Sequence, residues 1–146
     1  AGWRGVVAGV VEAGVACLRE NVGDSGQLLA AIGPHISRDA FEVSEDVAAE
    51  LAAVCPVPGA IVQADGLTAQ PERSERSERH QDRKPHVDLR FIVTQKLLAL
   101  GLTEGAIDQV GGCTVLDAEH YFSFRRDGKR SGRHLSAIVP RPSQAT

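Results

Sequence analysis

The sequence predicts a layered α/β fold, because segments with helical periodicity alternate with short apolar runs that are typical of buried strands. The clearest helical segments are residues 6–20 and 87–100, and the clearest strand-like runs are residues 27–32 and 106–110. The chain has 146 residues, of which 42% are hydrophobic and 24% are charged. This composition is ordinary for a globular domain with a substantial core.

The first predicted helix, residues 6–20, places several apolar side chains on one face: Val7, Val10, Val11 and Leu18. It follows directly on the motif Ala1-Gly2-Trp3-Arg4-Gly5. A helix N-terminus offers unpaired N–H groups, glycine lets a ligand approach the backbone, and arginine adds a planar set of donors. Gly2 and Arg4 therefore predict a site for a phosphate or carboxylate. A glycine-rich helix start with a solvated arginine is the alternative.

The central part of the chain predicts a strand, a helix and a loop. The strand over residues 27–32 ends at Gly33-Pro34. The helix covers residues 45–54, because Ser44 is a suitable N-cap and two acidic residues follow it. Residues 70–84 carry five basic and four acidic side chains and no apolar residue to bury, so they predict a charged flexible loop.

The last third of the chain predicts one more helix and three strands. The helix covers residues 87–100, and Gly101 is its expected C-terminal capping residue. The strands are predicted where the chain is apolar or alternates, with a turn over residues 129–133 before the last of them: residues 106–110, 121–128 and 135–139.

Composition and charge argue against several classes of protein. The formal net charge of −3 is not that of a chain attracted to nucleic acid in general. No apolar run approaches the roughly 20 residues that a membrane-spanning helix needs. The three cysteines, Cys17, Cys55 and Cys113, are far apart and odd in number, which argues against a disulfide scaffold and favours a reducing cytoplasm. The sequence carries no signal for an oligomeric state.

Two features lead us to expect that this chain is the C-terminal portion of a longer domain. It contains no methionine, and its first residue already lies inside the glycine-rich motif. A glycine-rich motif at a turn from a strand to a helix must be preceded in the chain by that strand. We therefore expect the sheet to be incomplete, with its N-terminal part outside this sequence.

A second group of candidate anion ligands lies near the end of the chain. Residues 125–133 contain five basic side chains and one acidic side chain. Arginine binds phosphate through paired N–H groups, so this segment predicts an anion site. A solvated hairpin tip is the alternative, and it applies most to Lys129 and Arg130. The roles of His35 and Cys113 stay open, because neither has the spacing of a metal site.

Several motifs follow one another in an order that is highly specific when taken together: Ala1-Gly2-Trp3-Arg4-Gly5, Ile32-Gly33-Pro34-His35-Ile36, Phe41-Glu42-Val43, Val87-Asp88-Leu89, Cys113-Thr114, Phe122-Ser123-Phe124-Arg125-Arg126-Asp127 and Gly132-Arg133. On these motifs the chain resembles the multicopper polyphenol oxidoreductase, or laccase domain, family. Members are also described as zinc-dependent purine nucleoside phosphorylases and, in one branch, as peptidoglycan editing factors. The resemblance runs from residue 1 to about Val139, and only residues 70–84 look foreign to it.

The resemblance implies an α/β/α sandwich with a mixed sheet. It also implies phosphorolysis of adenosine, inosine and S-methyl-5'-thioadenosine, together with deamination of adenosine. The catalytic residues that match the family motifs are Arg4 and Arg125. The residues that would bind substrate and phosphate are Gly2, Gly33, Pro34, Phe41, Ser123, Arg126 and Arg133.

The resemblance further implies a zinc ion, or alternatively copper. In the family two histidines and a cysteine hold the metal, and one histidine directly precedes the glycine-rich motif. We therefore expect the ligands upstream of Ala1 and no metal ligand within this chain. The expected partners are a purine nucleoside and phosphate, without nucleic acid or membrane. Two other functions stay open, namely copper-dependent phenol oxidation and non-catalytic binding of a nucleotide or phosphate.

Overall fold

The computed structural model describes residues 2–22, 27–62 and 84–139. The helices in these ranges are α1 (Trp3–Val7), α2 (Val10–Val22), α3 (Glu45–Ala53), α4 (Leu89–Ala99) and α5 (Phe124–Asp127). The strands are β1 (Ala30–Ile32), β2 (Ile61–Val62), β3 (His86–Val87) and β4 (Ile107–Gln109). The predicted charged loop, residues 70–84, lies outside the described residues except for Lys84. None of the described helices is long and apolar enough to cross a membrane.

The strands form two small pairs of opposite type, which confirms the predicted mixed α/β class. β1 is parallel to β4, with Ala30 opposite Ile107, whereas β2 is antiparallel to β3. Beyond the ends of the parallel pair, an isolated parallel bridge joins His35 to Cys113. The two segments that follow β1 and β4 therefore continue side by side, and they bring distant parts of the chain to one place.

The continuous helix predicted over residues 6–20 is wrong, because the structure divides this segment into α1 and α2. Gly9 has a φ of +80°, in the left-handed region that glycine enters without steric penalty. Helical structure accordingly stops before Ala8 and resumes at Val10. Helix α1 also starts earlier than predicted, so Arg4 lies within its first turn.

The predicted helix over residues 87–100 is confirmed as α4. It starts two residues later than predicted, because β3 occupies the preceding residues and Asp88 becomes the N-cap. The Asp88 carboxylate accepts a hydrogen bond of 2.9 Å from the N–H of Phe91. Gly101 has a φ of +89°, as expected of a C-terminal capping glycine.

Three other predicted elements are confirmed with shorter bounds. The helix over residues 45–54 is α3, and Ser44 occupies its N-cap position without a side-chain capping hydrogen bond. The strand over residues 27–32 narrows to β1, and the strand over residues 106–110 narrows to β4. In the second case, a 3-10 turn over Glu104–Ala106 delays the start of the strand.

The strand predicted over residues 121–128 is wrong, because this segment contains the helical turn α5. The Ser123 hydroxyl caps it by accepting the N–H of Arg126 at 3.4 Å, and a 3-10 turn over Gly128–Arg130 follows. The cap satisfies backbone groups that a strand would have to pair with a neighbour. The strand predicted over residues 135–139 is also wrong. Leu135 is 96% exposed, and no described strand pairs with this segment.

Two apolar clusters hold the helices together. The larger one joins α1, α3 and α4, and its fully buried members include Val6, Leu51 and Ile92. Phe41 belongs to the same cluster, so the short segment after β1 is fixed against α1 and α4. The smaller cluster packs α2 against α4. Burial of this apolar surface compensates for the glycines that weaken the first two helices.

A buried lysine connects the two helices of the smaller cluster. Lys96 on α4 is 5% exposed, and its Nζ forms an ion pair with a carboxylate oxygen of Glu12 on α2. The hydrogen bond from Lys96 lowers the pKa of Glu12 below its usual value, although partial burial opposes this effect. A buried charge without a partner is costly, so this pair fixes how α2 lies on α4.

Candidate functional site

A groove with a volume of about 1120 Å³ runs along α1, β1 and the start of α5. We call it the α1 groove. Its aromatic lining includes Trp3, Phe41, Phe122 and Phe124. Six of the nine predicted site residues also line it: Gly2, Arg4, Gly33, Pro34, Phe41 and Arg125. The structure thus brings the glycine-rich motif, the Gly-Pro turn and the arginine-rich motif to one concave surface.

Arg4 reaches the α1 groove from the first turn of α1. Its guanidinium carbon lies 4.8 Å from the ring centroid of Trp3, so the charge rests on an aromatic face. Gly2 precedes the helix in an extended conformation, and no side chain caps this end. Because α1 has only five residues, its dipole is small and the guanidinium is the main positive group here.

Arg125 reaches the same groove from α5. Its Nη1 donates a hydrogen bond of 2.9 Å to the carbonyl of Glu42, and its guanidinium carbon lies 5.4 Å from the ring centroid of Phe41. Phe41 is only 4% exposed, so the ring is a fixed support. One of the five N–H groups of Arg125 is thus bonded within the described residues. The other four donate no hydrogen bond within those residues and can bind an anion there.

The remaining three predicted site residues do not line the α1 groove. Ser123 is 5% exposed and caps α5, as described above. Arg126 donates to three backbone carbonyls and to the carboxylate of Asp127. Arg133 donates to the carbonyls of Ser131 and Gly132 at 2.9 and 3.0 Å, within its own turn. None of these three side chains lines the α1 groove, so an anion in the groove would not meet them directly.

A second cleft, of about 480 Å³, contains the thiol of Cys113 together with His35, Ser37 and two arginines, Arg38 and Arg90. The sulfur accepts hydrogen bonds from the Ser37 hydroxyl at 3.1 Å and from the Ser37 N–H at 3.3 Å. Burial raises the pKa of the Cys113 thiol. The two bonds from Ser37 and the neighbouring backbone N–H groups outweigh burial, so the pKa is lowered overall.

The family assignment follows from the match of nearly the whole chain. The family described as multi-copper polyphenol oxidoreductase laccase matches residues 1–141. The chain belongs to this family. A solved structure with this fold, the hypothetical protein YfiH of Bacillus licheniformis, is 22% identical with a TM-score of 0.66, and the match covers 86% of this chain and 42% of that one. The resemblance predicted from the motifs is therefore confirmed.

Relatives of this laccase-family chain carry names that state an activity. The purine nucleoside phosphorylase of Bacteroides thetaiotaomicron is 35% identical over 140 residues, which are 95% of this chain and 47% of that protein. The adenosine deaminase RL5 of an unknown prokaryotic organism is 29% identical over 138 residues, which are 94% of this chain and 47% of that protein. The laccase-family chain thus spans about half the length of these relatives.

The family description names copper, a metal that proteins hold through clustered side-chain donors. Within residues 2–22, 27–62 and 84–139, no group of three or more His, Cys, Asp or Glu side chains is placed to do so. The bridge between His35 and Cys113 joins backbone groups only, and the Cys113 sulfur is engaged by Ser37. The described residues therefore do not fit a metal centre, and we assign no ligand among them.

Many residues that line the α1 groove are not predicted from the sequence as site residues, among them Thr114, Phe122, Phe124 and His134. The sequence does contain a signal for two of them, because Phe122 and Phe124 flank Ser123 in the arginine-rich motif. In the structure these two side chains are 53% and 65% exposed. Exposed aromatic rings beside a cationic site are suited to stack on a flat ligand.

Proposed function

We propose that a protein containing this chain is a purine nucleoside phosphorylase that acts on adenosine, inosine and S-methyl-5'-thioadenosine, with adenosine deamination as a second activity. The observation that carries the proposal is the α1 groove, in which Arg4 and Arg125 lie beside aromatic side chains. The family assignment and the phosphorylase and deaminase names of its relatives support it.

The lining of the α1 groove suits both substrates of a phosphorolysis. A guanidinium has paired N–H groups that match phosphate oxygens. Both guanidinium groups pack on an aromatic ring, that of Arg4 on Trp3 and that of Arg125 on Phe41. The apolar rings of Phe122 and Phe124 offer surfaces on which a purine can stack. Charge for the phosphate and aromatic surface for the base thus occur in one groove.

In the proposed reaction, Arg4 and Arg125 hold phosphate with one oxygen directed at the anomeric carbon of the nucleoside. That oxygen forms the new bond to carbon as the glycosidic bond to the purine nitrogen breaks. The electron pair of the broken bond leaves with the purine, whose nitrogen takes up the proton that hydrogen phosphate loses. Because the guanidinium groups are already oriented by Trp3, Phe41 and Glu42, little reorganisation is needed as charge redistributes in the transition state.

The proposal includes dependence on zinc, or alternatively on copper, in a cytoplasmic protein. It rests here on the family description and on the sequence resemblance, and no step is assigned to the metal in this chain. A second candidate function is copper-dependent phenol oxidation, which the description of the family favours. The aromatic lining of the α1 groove would also accept a phenol, so the two functions must be separated by experiment.

The test uses purified protein that contains this chain within its natural full-length sequence. Adenosine is incubated with and without inorganic phosphate, and free adenine, inosine and the sugar phosphate are separated by chromatography. We expect adenine to form only when phosphate is present, inosine to form by deamination, and both products to disappear after chelation. Oxidation of a phenol with copper, and no phosphate-dependent base release, would favour the second candidate. Tight phosphate binding without turnover would indicate a binding protein instead.

A further inference from the structure

Arg126 has all of its hydrogen-bond donors engaged. Its Nε and one Nη2 N–H donate to the two carboxylate oxygens of Asp127, each at 2.9 Å. Its two Nη1 N–H groups donate to the carbonyls of Thr114 and Val115 at 2.9 and 3.1 Å, and the second Nη2 N–H donates to the carbonyl of Tyr121 at 2.9 Å. An arginine has five N–H donors, so none remains for a ligand.

These five bonds join two parts of the chain. Three acceptors are backbone carbonyls of the segment 113–121, which follows β4, and the fourth partner is the last residue of α5. Asp127 is itself tied to the start of that helix, because its N–H donates to the Ser123 carbonyl at 2.8 Å and its carboxylate accepts the Ser123 N–H at 3.4 Å. Arg126 thus holds the segment 113–121 against α5, a helical turn whose first and last residues are hydrogen-bonded to each other.

The same arrangement orients the neighbouring arginine. Successive helical side chains are about 100° apart, so a side chain fixed on one side of α5 directs the next one to a different side. Arg126 points into the segment 113–121, and Arg125 points to Glu42 and Phe41 on the wall of the α1 groove. Thr114, whose carbonyl Arg126 holds, lines that groove as well.

We propose that Arg126 is a positioning residue that acts through Arg125 and does not bind the anion itself. We call the five hydrogen bonds of Arg126 the bracket. The bracket fixes α5 on the segment 113–121, and α5 in turn holds Arg125 in position for the phosphate of the proposed phosphorolysis. The inference deepens the proposed function and rests on it for the identity of the anion. A lysine cannot replace the bracket, because its three donors sit on one nitrogen and do not match a planar fork.

The decisive test is a double-mutant cycle on the activity with phosphate. In full-length protein, Arg126→Ala should lower kcat/KM for phosphate about tenfold or more, because it removes several charge-assisted bonds that hold the site. In the Arg125→Ala background the same substitution should cost less than about twofold, since the residue through which it acts is gone. Arg126→Lys should resemble Arg126→Ala. Equal losses in both backgrounds, or recovery of most of the activity in Arg126→Lys, would overturn the inference.

A second measurement separates this inference from the proposed function. Removing the bracket should speed amide exchange in the segment it holds, at the hydrogen-bonded N–H groups of Thr114, Asp117 and Tyr121. The N–H of Ile92 in α4 is the internal control, and Arg130→Ala, a basic residue of the next turn, is the matched control variant. If the unsubstituted protein releases no base, the proposed function fails. Unchanged exchange in Arg126→Ala and Arg126→Lys would overturn the bracket itself.

Discussion

The guanidinium of Arg125 lies against the ring of Phe41, 5.4 Å from its centroid, with a hydrogen bond of 2.9 Å to the carbonyl of the next residue, Glu42. An exposed arginine is ordinarily free to move, and ordering it costs side-chain entropy. Here the contacts with a buried aromatic ring and a backbone carbonyl already order the Arg125 side chain in the folded protein, before any ligand binds. A phosphate that enters the α1 groove would therefore meet a group already oriented for it.

We predict that Arg4 and Arg125 act on the same bound anion. In full-length protein, Arg4→Ala and Arg125→Ala should each weaken phosphate use about tenfold or more, because a charge-assisted hydrogen bond contributes about 1.5–3 kcal/mol. The double variant should lose less than the product of the single losses, as expected of groups that share a ligand. The measurement is kcat/KM for phosphate in all four proteins.

Arg130→Ala is the control for the cycle, since Arg130 is exposed in the 3-10 turn after α5 and does not line the α1 groove. It should leave phosphate use nearly unchanged. Fully multiplicative losses at Arg4 and Arg125 would mean two separate anion contacts. A loss at Arg130 as large as the others would mean that a diffuse positive surface, and not a defined site, attracts phosphate.

The ring of Phe41 should matter in two ways that substitutions can separate. Phe41→Ala should destabilise the protein by about 3–5 kcal/mol, because the side chain is 4% exposed in the larger core cluster. Phe41→Leu keeps an apolar side chain there and should cost much less, yet it removes the aromatic face under Arg125. We expect Phe41→Leu to stay folded in thermal unfolding and still to raise KM for phosphate.

Leu51→Ile, a change in the same cluster on α3, is a suitable control for Phe41→Leu, because Leu51 is likewise buried and does not line the α1 groove. It should alter the unfolding midpoint without altering KM for phosphate. An unchanged KM in Phe41→Leu would show that the hydrogen bond to Glu42 alone is sufficient to orient Arg125.

The sequence predicts the elements that depend on local signals and misses those that depend on distant partners. Helix α4 and its capping glycine were predicted because periodicity and Gly101 act within a few residues. The break at Gly9 cannot be predicted from the sequence, because a glycine within a helical pattern does not reveal whether its φ becomes positive. Alternation predicts a strand where the structure has the short turn α5, because alternating side chains do not reveal whether a neighbouring strand is present.

The candidate site shows the same division. Arg4, Gly33, Phe41 and Arg125 were named from motifs, and the structure places them along one groove. Arg126 was named with them because it belongs to the same motif, but its acceptors are mostly backbone carbonyls. A carbonyl occurs at every residue, so no residue type in the sequence marks it as the partner of a particular arginine.

The ion pair between Glu12 and Lys96 predicts a dependence of stability on pH. The hydrogen bond from Lys96 lowers the pKa of Glu12 in the folded protein below the ordinary value of 4.5. A carboxyl group whose pKa is lowered by folding contributes stability above its unfolded pKa and loses it as pH falls through the folded one. The difference in free energy of unfolding between the unsubstituted protein and Glu12→Gln should therefore be full at neutral pH and should shrink in acid below pH 4.5.

Denaturant unfolding at several pH values measures this difference. Glu20→Gln is the control, because it removes an exposed carboxylate of the same helix that is not the partner of Lys96. A stability difference that grows as the pH falls would contradict the assigned direction of the pKa shift. So would a Glu12→Gln protein as stable as the unsubstituted one at neutral pH.

The contact between Ser37 and Cys113 predicts when the thiol becomes reactive. The Ser37 hydroxyl and N–H both donate to the sulfur, at 3.1 and 3.3 Å, and they favour the thiolate. Ser37→Ala removes the hydroxyl donor and keeps the N–H, so the pKa of Cys113 should rise. Since the thiolate is the reactive form, the pH midpoint for alkylation by iodoacetamide should move upward.

Peptide mass spectrometry distinguishes Cys113 from Cys17 and Cys55, and Ser44→Ala is the control because its hydroxyl makes no capping bond. A midpoint that stays constant or falls in Ser37→Ala would show that the hydroxyl does not stabilise the thiolate.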